Sequence, residues 1–288
     1  MEVLMSDSKQ YTTEWSFSFE ALNKTISDLV DSLNIRDEDV KIASFSEPKS
    51  GVHKAHVNLK LSLGEVSIQP LTASHNLIEA DVTYMGEMLF EVEGEAEKVV
   101  TLRQKISGVG EKIKQTVGLF NRREDLRWDV RLSPDVPMSI SLEGGVGPTH
   151  ANLLGIQLAR LEVDGGVGET TVILPQSYEA YSVVVNGGVG SMKLVVPEDT
   201  NVSIAVRGGV GAISVQIPRH AAATVAAHGG LGKITMPKHL NRIHKDNDFI
   251  SRGGVWETER YTDAEYQIAI NFDGGLGSFR ITIPEDVE

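Results

Sequence analysis

The chain has 288 residues, 41% of them hydrophobic, and carries a formal charge of −13 from 40 acidic against 27 basic side chains, with no cysteine. That composition suits one large or two ordinary globular domains. The missing cysteines exclude disulfides and thiolate metal ligands, and the acidic balance argues against a nucleic-acid partner, whose phosphates reward clustered Lys and Arg.

No run of about 18 apolar residues occurs. Met1–Gln10 contains Asp7 and Lys9 and lacks the apolar stretch of a signal peptide. The expected location is therefore cytoplasmic, with peripheral membrane contact left open. The first element is a helix. From Phe19 to Asn34, Phe19, Leu22, Ile26, Leu29, Val30 and Leu33 recur at three- and four-residue steps, and Ser18 supplies an N-cap. Such an amphipathic helix is expected to cap the open end of a strand stack. Arg36 to Glu47 is polar and acidic and reads as a linker. Residues 1–50 are thus tail, helix and linker, and residues 51–288 form the body.

In the body, Val57, Leu59, Leu61 and Leu63 step by two, as do Ile78, Ala80, Val82 and Tyr84, which is the period of a half-buried strand. Residues 105–127 interrupt this pattern. Ile106, Val109, Ile113 and Val117 have helical spacing, and Lys105, Lys112, Lys114, Arg122, Arg123 and Arg127 outnumber Glu111, Glu124 and Asp125. This basic insertion either packs on the body or meets an anionic membrane surface or a protein partner.

From Trp128 a repeat governs the chain. Gly-Gly-Val-Gly starts at Gly144, Gly165, Gly187 and Gly208, Gly-Gly-Leu-Gly at Gly229 and Gly274, and Gly-Gly-Val-Trp at Gly253. The start-to-start spacings are 21, 22, 21, 21, 24 and 21 residues, a nearly fixed period that marks a repeat architecture. Alternating aliphatics flank each phrase, as in Val183 and Val185 before it and Leu194 and Val196 after it, and Pro175, Pro197, Pro218 and Pro284 end the outgoing strands. The glycines at 144, 165, 187, 208, 229 and 274 are read as corners, where φ > 0 and close backbone approach cost glycine little. The aliphatic at the third position of the phrase is expected to face inward.

One such unit cannot bury its aliphatic face alone, so successive coils must stack. The predicted fold is an all-β single-stranded β-helix, a β-solenoid of about 21-residue coils. Residues 237–252 make the longest coil, and its protruding loop offers His239, Arg242 and His244 as a contact surface beside Lys112, Lys114, Arg122 and Arg123 of the insertion. The last coil ends at Pro284 with nothing to cover it, which points to homo-oligomers formed through free ends.

No cofactor site is legible. The position that holds aspartate in calcium-binding glycine repeats is Thr170, Met192, Ile213, Ile234 and Phe279 here, which removes the hard oxygen ligand. No phrase leads into Gly-Lys-Ser/Thr, so the glycines are not a phosphate loop. His220, His228, His239 and His244 are close in sequence and are the one metal set to consider. A carbohydrate-active β-helix would need two facing carboxylates, and none of the 40 acidic residues stands out as such a pair.

Trp128-Asp129-Val130-Arg131-Leu132-Ser133-Pro134-Asp135-Val136-Pro137, then Gly-Gly-Val-Gly, then Leu161-Glu162-Val163-Asp164-Gly165-Gly166-Val167-Gly168 resemble the C-terminal domain of LiaF-like cell-wall-active-antibiotic-response proteins and the adhesin-type repeats called toastrack domains. Asn76 to Tyr84 and Leu102-Arg103-Gln104 are similar to the entry of that domain, so the resemblance covers roughly residues 55–284. It implies a non-catalytic β-solenoid tied to envelope-stress signalling or adhesion in bacteria, and it supplies no catalytic residues. Members of the LiaF type carry membrane spans ahead of this domain, where this sequence has only the helix at 19–34. The expected function is a non-enzymatic binding or scaffold module with a protein or envelope partner. Self-assembly through solenoid ends and a carbohydrate-active enzyme are the alternatives.

Overall fold

Alternation of buried Val, Leu and Ile with polar residues draws most of the described residues into strands, because each strand has one face in the core and one in water. The computed structural model describes residues 40–105, 126–245 and 253–284. The predicted helix, Lys112, Lys114, Arg122, Arg123 and the tip of the 237–252 loop lie outside the described residues.

The early strands are β1 (Val40–Pro48), β2 (Lys54–Lys60), β3 (Glu65–Pro70), β4 (Asn76–Met85), β5 (Glu87–Glu93), β6 (Glu97–Lys105) and β7 (Arg127–Leu132). The repeat follows as β8 (Met138–Glu143), β9 (Thr149–Asn152), β10 (Leu158–Asp164), β11 (Val167–Ile173), β12 (Ser177–Asn186), β13 (Val189–Val195), β14 (Thr200–Arg207) and β15 (Val210–Gln216). The chain closes with β16 (Ala222–His228), β17 (Leu231–Thr235), β18 (Asn241–Lys245), β19 (Gly254–Glu257), β20 (Gln267–Asp273) and β21 (Leu276–Thr282).

These strands form two sheets. One has ten strands in the order β1-β4-β7-β3-β9-β11-β13-β15-β21-β17, and the other eleven in the order β18-β19-β16-β20-β14-β12-β10-β8-β2-β6-β5. From β8 to β15 the chain changes sheet at every step, and each strand from β8 to β13 pairs in parallel with the strand two places later. Four two-strand turns therefore stack in register.

The core lies between the sheets. In one turn Tyr181, Val183 and Val185 of β12 face Met192, Leu194 and Val196, all buried, and a fully buried aliphatic contributes roughly 1.5–3 kcal/mol. Tyr181 keeps its hydroxyl satisfied by donating to the Pro175 carbonyl at 2.8 Å.

Several expectations are corrected. Arg36–Glu47 is not simply a linker, since Val40–Pro48 is β1 and pairs antiparallel with β4. The Gly253-Gly254-Val255-Trp256 copy of the phrase does not open a coil of the stack: it enters β19, which runs antiparallel to both β16 and β18. The described part of the 237–252 coil carries β18, which pairs with β19 and extends one sheet. Turns do not stack in strict chain order either. β20 lies between β14 and β16, and β21 between β15 and β17, so the last coil is interior. The end of the stack is the earlier coil β16–β17. Buried Leu240 and Trp256 and the antiparallel β19 and β18 cover it on the eleven-stranded side.

Candidate contact surface

At each corner the chain leaves the eleven-stranded sheet, passes two glycines and enters the ten-stranded one. The Val189 amide donates to Gly166, that of Val210 to Gly188 and that of Leu276 to Gly209, each at 2.9 Å. Backbone thus lies against backbone along the whole rim. Gly190 and Gly211 show why no other residue serves: their φ values are 134° and 139°, and a Cβ on either would run into the carbonyl of the preceding turn's Gly168 or Gly190. Of the predicted corners, Gly144, Gly165, Gly187, Gly208 and Gly274 would each strike a neighbouring turn in the same way. Gly229 would not, because it belongs to the end coil, and it takes φ 68° instead.

The third residue of the phrase does not face the core. Val189, Val210 and Leu276 are 37%, 38% and 53% exposed, while Met192, Ile213 and Phe279 fill the inward positions. The glycine pair turns the chain from one sheet to the other, so strand parity restarts after the corner. Val146, Val167, Val189, Val210 and Leu276 pair with one another in succession and form an apolar ridge along the rim. Beside it lies a small gap of about 40 Å³ between corner glycines, lined on its inner side by the buried Met192, Ile213 and Phe279.

A polar rail borders the ridge on the residues just before each phrase. Lys60 pairs with Glu143 at 2.9 Å, Asn186 Nδ2 donates to Asp164 Oδ1 at 2.5 Å, and Arg207 Nη1 donates to Asn186 Oδ1 at 3.2 Å. Asp273 follows in the next turn and His228 in the last.

The residues predicted from the 237–252 loop stand in different settings. The Arg242 guanidinium lies 4.8 Å from the Trp256 ring centroid and donates to the Gly253 carbonyl, so it holds β18 onto β19. His239 is half-buried, and burial, then His220, then Arg219 lower its pKa. His244 is exposed on β18. Among the described residues no three His, Cys, Asp or Glu side chains gather closely enough to hold a metal.

One feature escaped sequence reasoning. Tyr178, 69% exposed, meets Tyr266 edge-on at 6.1 Å, although β12 and β20 are not neighbours in the sheet. Asn201 of the intervening β14 ties them: its Nδ2 donates to the carbonyls of Tyr178 at 2.7 Å and Glu265 at 3.2 Å, and its Oδ1 accepts from the Gln267 amide at 2.8 Å. The only trace in the sequence is the single 22-residue spacing, which accompanies the register shift between Ser177 and Tyr181.

This geometry defines a class, an all-β repeat protein of two facing, mostly parallel sheets joined by glycine corners. The chain belongs to the toast_rack family: the profile of the N-terminal domain of toast_rack, DUF2154, matches residues 33–195, more than half of the sequence. In fold it is similar to the crystal structure of a candidate cell adhesion protein from Clostridium sporogenes ATCC 15579, with 20% identity, a TM-score of 0.56, and coverage of 85% of this chain and 100% of that one. A candidate adhesin from Bacteroides fragilis NCTC 9343 aligns over 84% of this chain and 97% of its own at 13% identity, with a TM-score of 0.31. No protein of curated function matches the sequence. Among the described residues no helix is long and apolar enough to cross a membrane.

Proposed function

We propose that the chain is a non-enzymatic β-solenoid scaffold that takes a protein or cell-envelope partner along its glycine rim. The observation that carries this is the aliphatic ridge in which half-buried Val167 is followed by exposed Val189, Val210 and Leu276, since contiguous apolar surface facing water is where partners bind. The rim beside the ridge is glycine backbone, which presents few side-chain chemistries, a setting for binding rather than bond-breaking. Family membership and the adhesion role assigned to the Clostridium protein favour the envelope as the place where the partner is found.

The test is co-sedimentation of full-length protein with purified cell walls and, separately, with anionic vesicles. Val189→Lys combined with Val210→Glu, opposite charges on register partners, should weaken cell-wall binding about tenfold, a loss of about 1.4 kcal/mol, and keep the cooperative melting transition. Lys112→Glu with Lys114→Glu should weaken only the vesicle arm, by removing charge attraction to anionic lipid. If the unmodified protein sediments with neither, the reading is wrong.

A further inference from the structure

The last coil in sequence sits inside the stack. β16 and β17 are made before β20 and β21 along the chain, yet β20 and β21 separate them from β14 and β15. Without that coil, each sheet would hold a slot one strand wide, bounded on both sides by parallel strands with unpaired amides and carbonyls. Two strand spacings set its width at about 9.6 Å. An exposed strand edge is a template for another strand, and this slot offers two.

The slot is cut for one occupant. Phe272 and Phe279 stack within it at 4.2 Å between centroids and 10° between planes. β16 makes room by placing Ala223 and Ala227 opposite Ile268 and Phe272, where the matching positions of β14 are Val202 and Val206. At the strand's entry, Asn201 binds the Gln267 amide and the Glu265 carbonyl. The connection from β19 to β20 is residues 258–266, with Arg260 in the left-handed region at φ 62°. Nine residues reach up to about 30 Å when extended, far enough to leave one stack and enter another.

We propose that the β20–β21 coil is exchangeable: the slot between β14–β15 and β16–β17 accepts the same coil of a second copy, and the chain forms strand-exchanged oligomers. The buried contacts of the exchanged coil are those of the closed chain, so exchange costs little beyond association, as in domain swapping generally. Where the rim reading concerns a foreign partner, this one concerns a second copy and stands without it.

The absence of cysteine makes the test clean. Ser203 and Ala269 are register partners on β14 and β20, on the water-facing side. Full-length Ser203→Cys and Ala269→Cys are unfolded, mixed, refolded together across a range of concentrations, sized by light scattering and oxidised. Exchange gives a species of twice the monomer mass whose share grows with concentration and which locks as a covalent dimer of the two variants. Ser182→Cys mixed with Ser203→Cys serves as control: these strands are consecutive in the stack, and the same dimer fraction should stay uncrosslinked. A protein that remains monomeric throughout overturns the proposal. So does a dimer in which the chain carrying both Ser203→Cys and Ala269→Cys closes its disulfide only within itself.

Discussion

Tyr181 shows how a single side chain can make the whole stack sensitive to base. It is 4% exposed, and burial raises its pKa well above the ordinary phenol value. Folding therefore favours the protonated form, and the associated stability is fully present below the unfolded pKa of about 10. It is lost as pH rises beyond that, at up to about 1.4 kcal/mol per pH unit from this one group. Tyr181→Phe should melt slightly lower at neutral pH, by about 1 kcal/mol for the lost hydrogen bond, and its melting temperature should fall less steeply than the parent's between pH 10 and 12. Parallel melting curves over that interval would contradict the assignment. Residue by residue, the buried columns were readable from period two alone, and Val183, Val185, Leu194 and Val196 are all buried. Val189 was not. Its face depends on what the glycine pair does to the pleat, and two residues free of Cβ leave no side-chain pattern from which to count.

Strands that obey the repeat or alternate strictly were legible as elements, while β19 and β1 were not. β19 carries the glycine phrase almost intact, but Trp256 takes the position that a backbone-to-backbone corner reserves for glycine, and a bulky ring there cannot stack on a neighbouring turn. The ring is instead buried, with Arg242 above it. β1 was hidden for a different reason: it is an edge strand whose faces are mostly exposed, with Ile42 81% exposed, so no apolar column announced it. Removing the Arg242 side chain should free the outermost strand without unfolding the protein. Arg242→Ala is expected to cost about 1 kcal/mol and to speed amide exchange in β18 and β19 selectively. Uniform acceleration across both sheets would show that the contact holds more than the end.

At the scale of the molecule, the repeat predicted a stack, and the stack is present from β8 to β15. Its chain order at the far end was beyond any pattern, because β20–β21 and β16–β17 carry the same phrase and either could sit next to β14–β15. Volume decides between them: Phe272 and Phe279 need a neighbour on each side, and Ala223, Ala227 and the short β17 suit an end. Cooperativity across the stack rests on columns such as Val163-Val185-Val206-Phe272, paired turn by turn. Val185 lies in the middle and is fully buried. Val185→Asp should place an unpaired charge there, cost about 4 kcal/mol or more, and abolish the cooperative thermal transition seen by circular dichroism. A melt like that of the parent would refute the inward column.

The corner glycines also limit what this protein can become. Where backbone lies on backbone from turn to turn, substitution is closed, and most of the rim is mute to mutation. Each turn keeps two open positions there, the aliphatic after the glycine pair and the polar residue before it, read along the stack as Val, Val, Val, Leu beside Asp, Asn, Arg, Asp. A lineage that changes what this edge recognises must spell the change in those two columns, or add and remove whole turns.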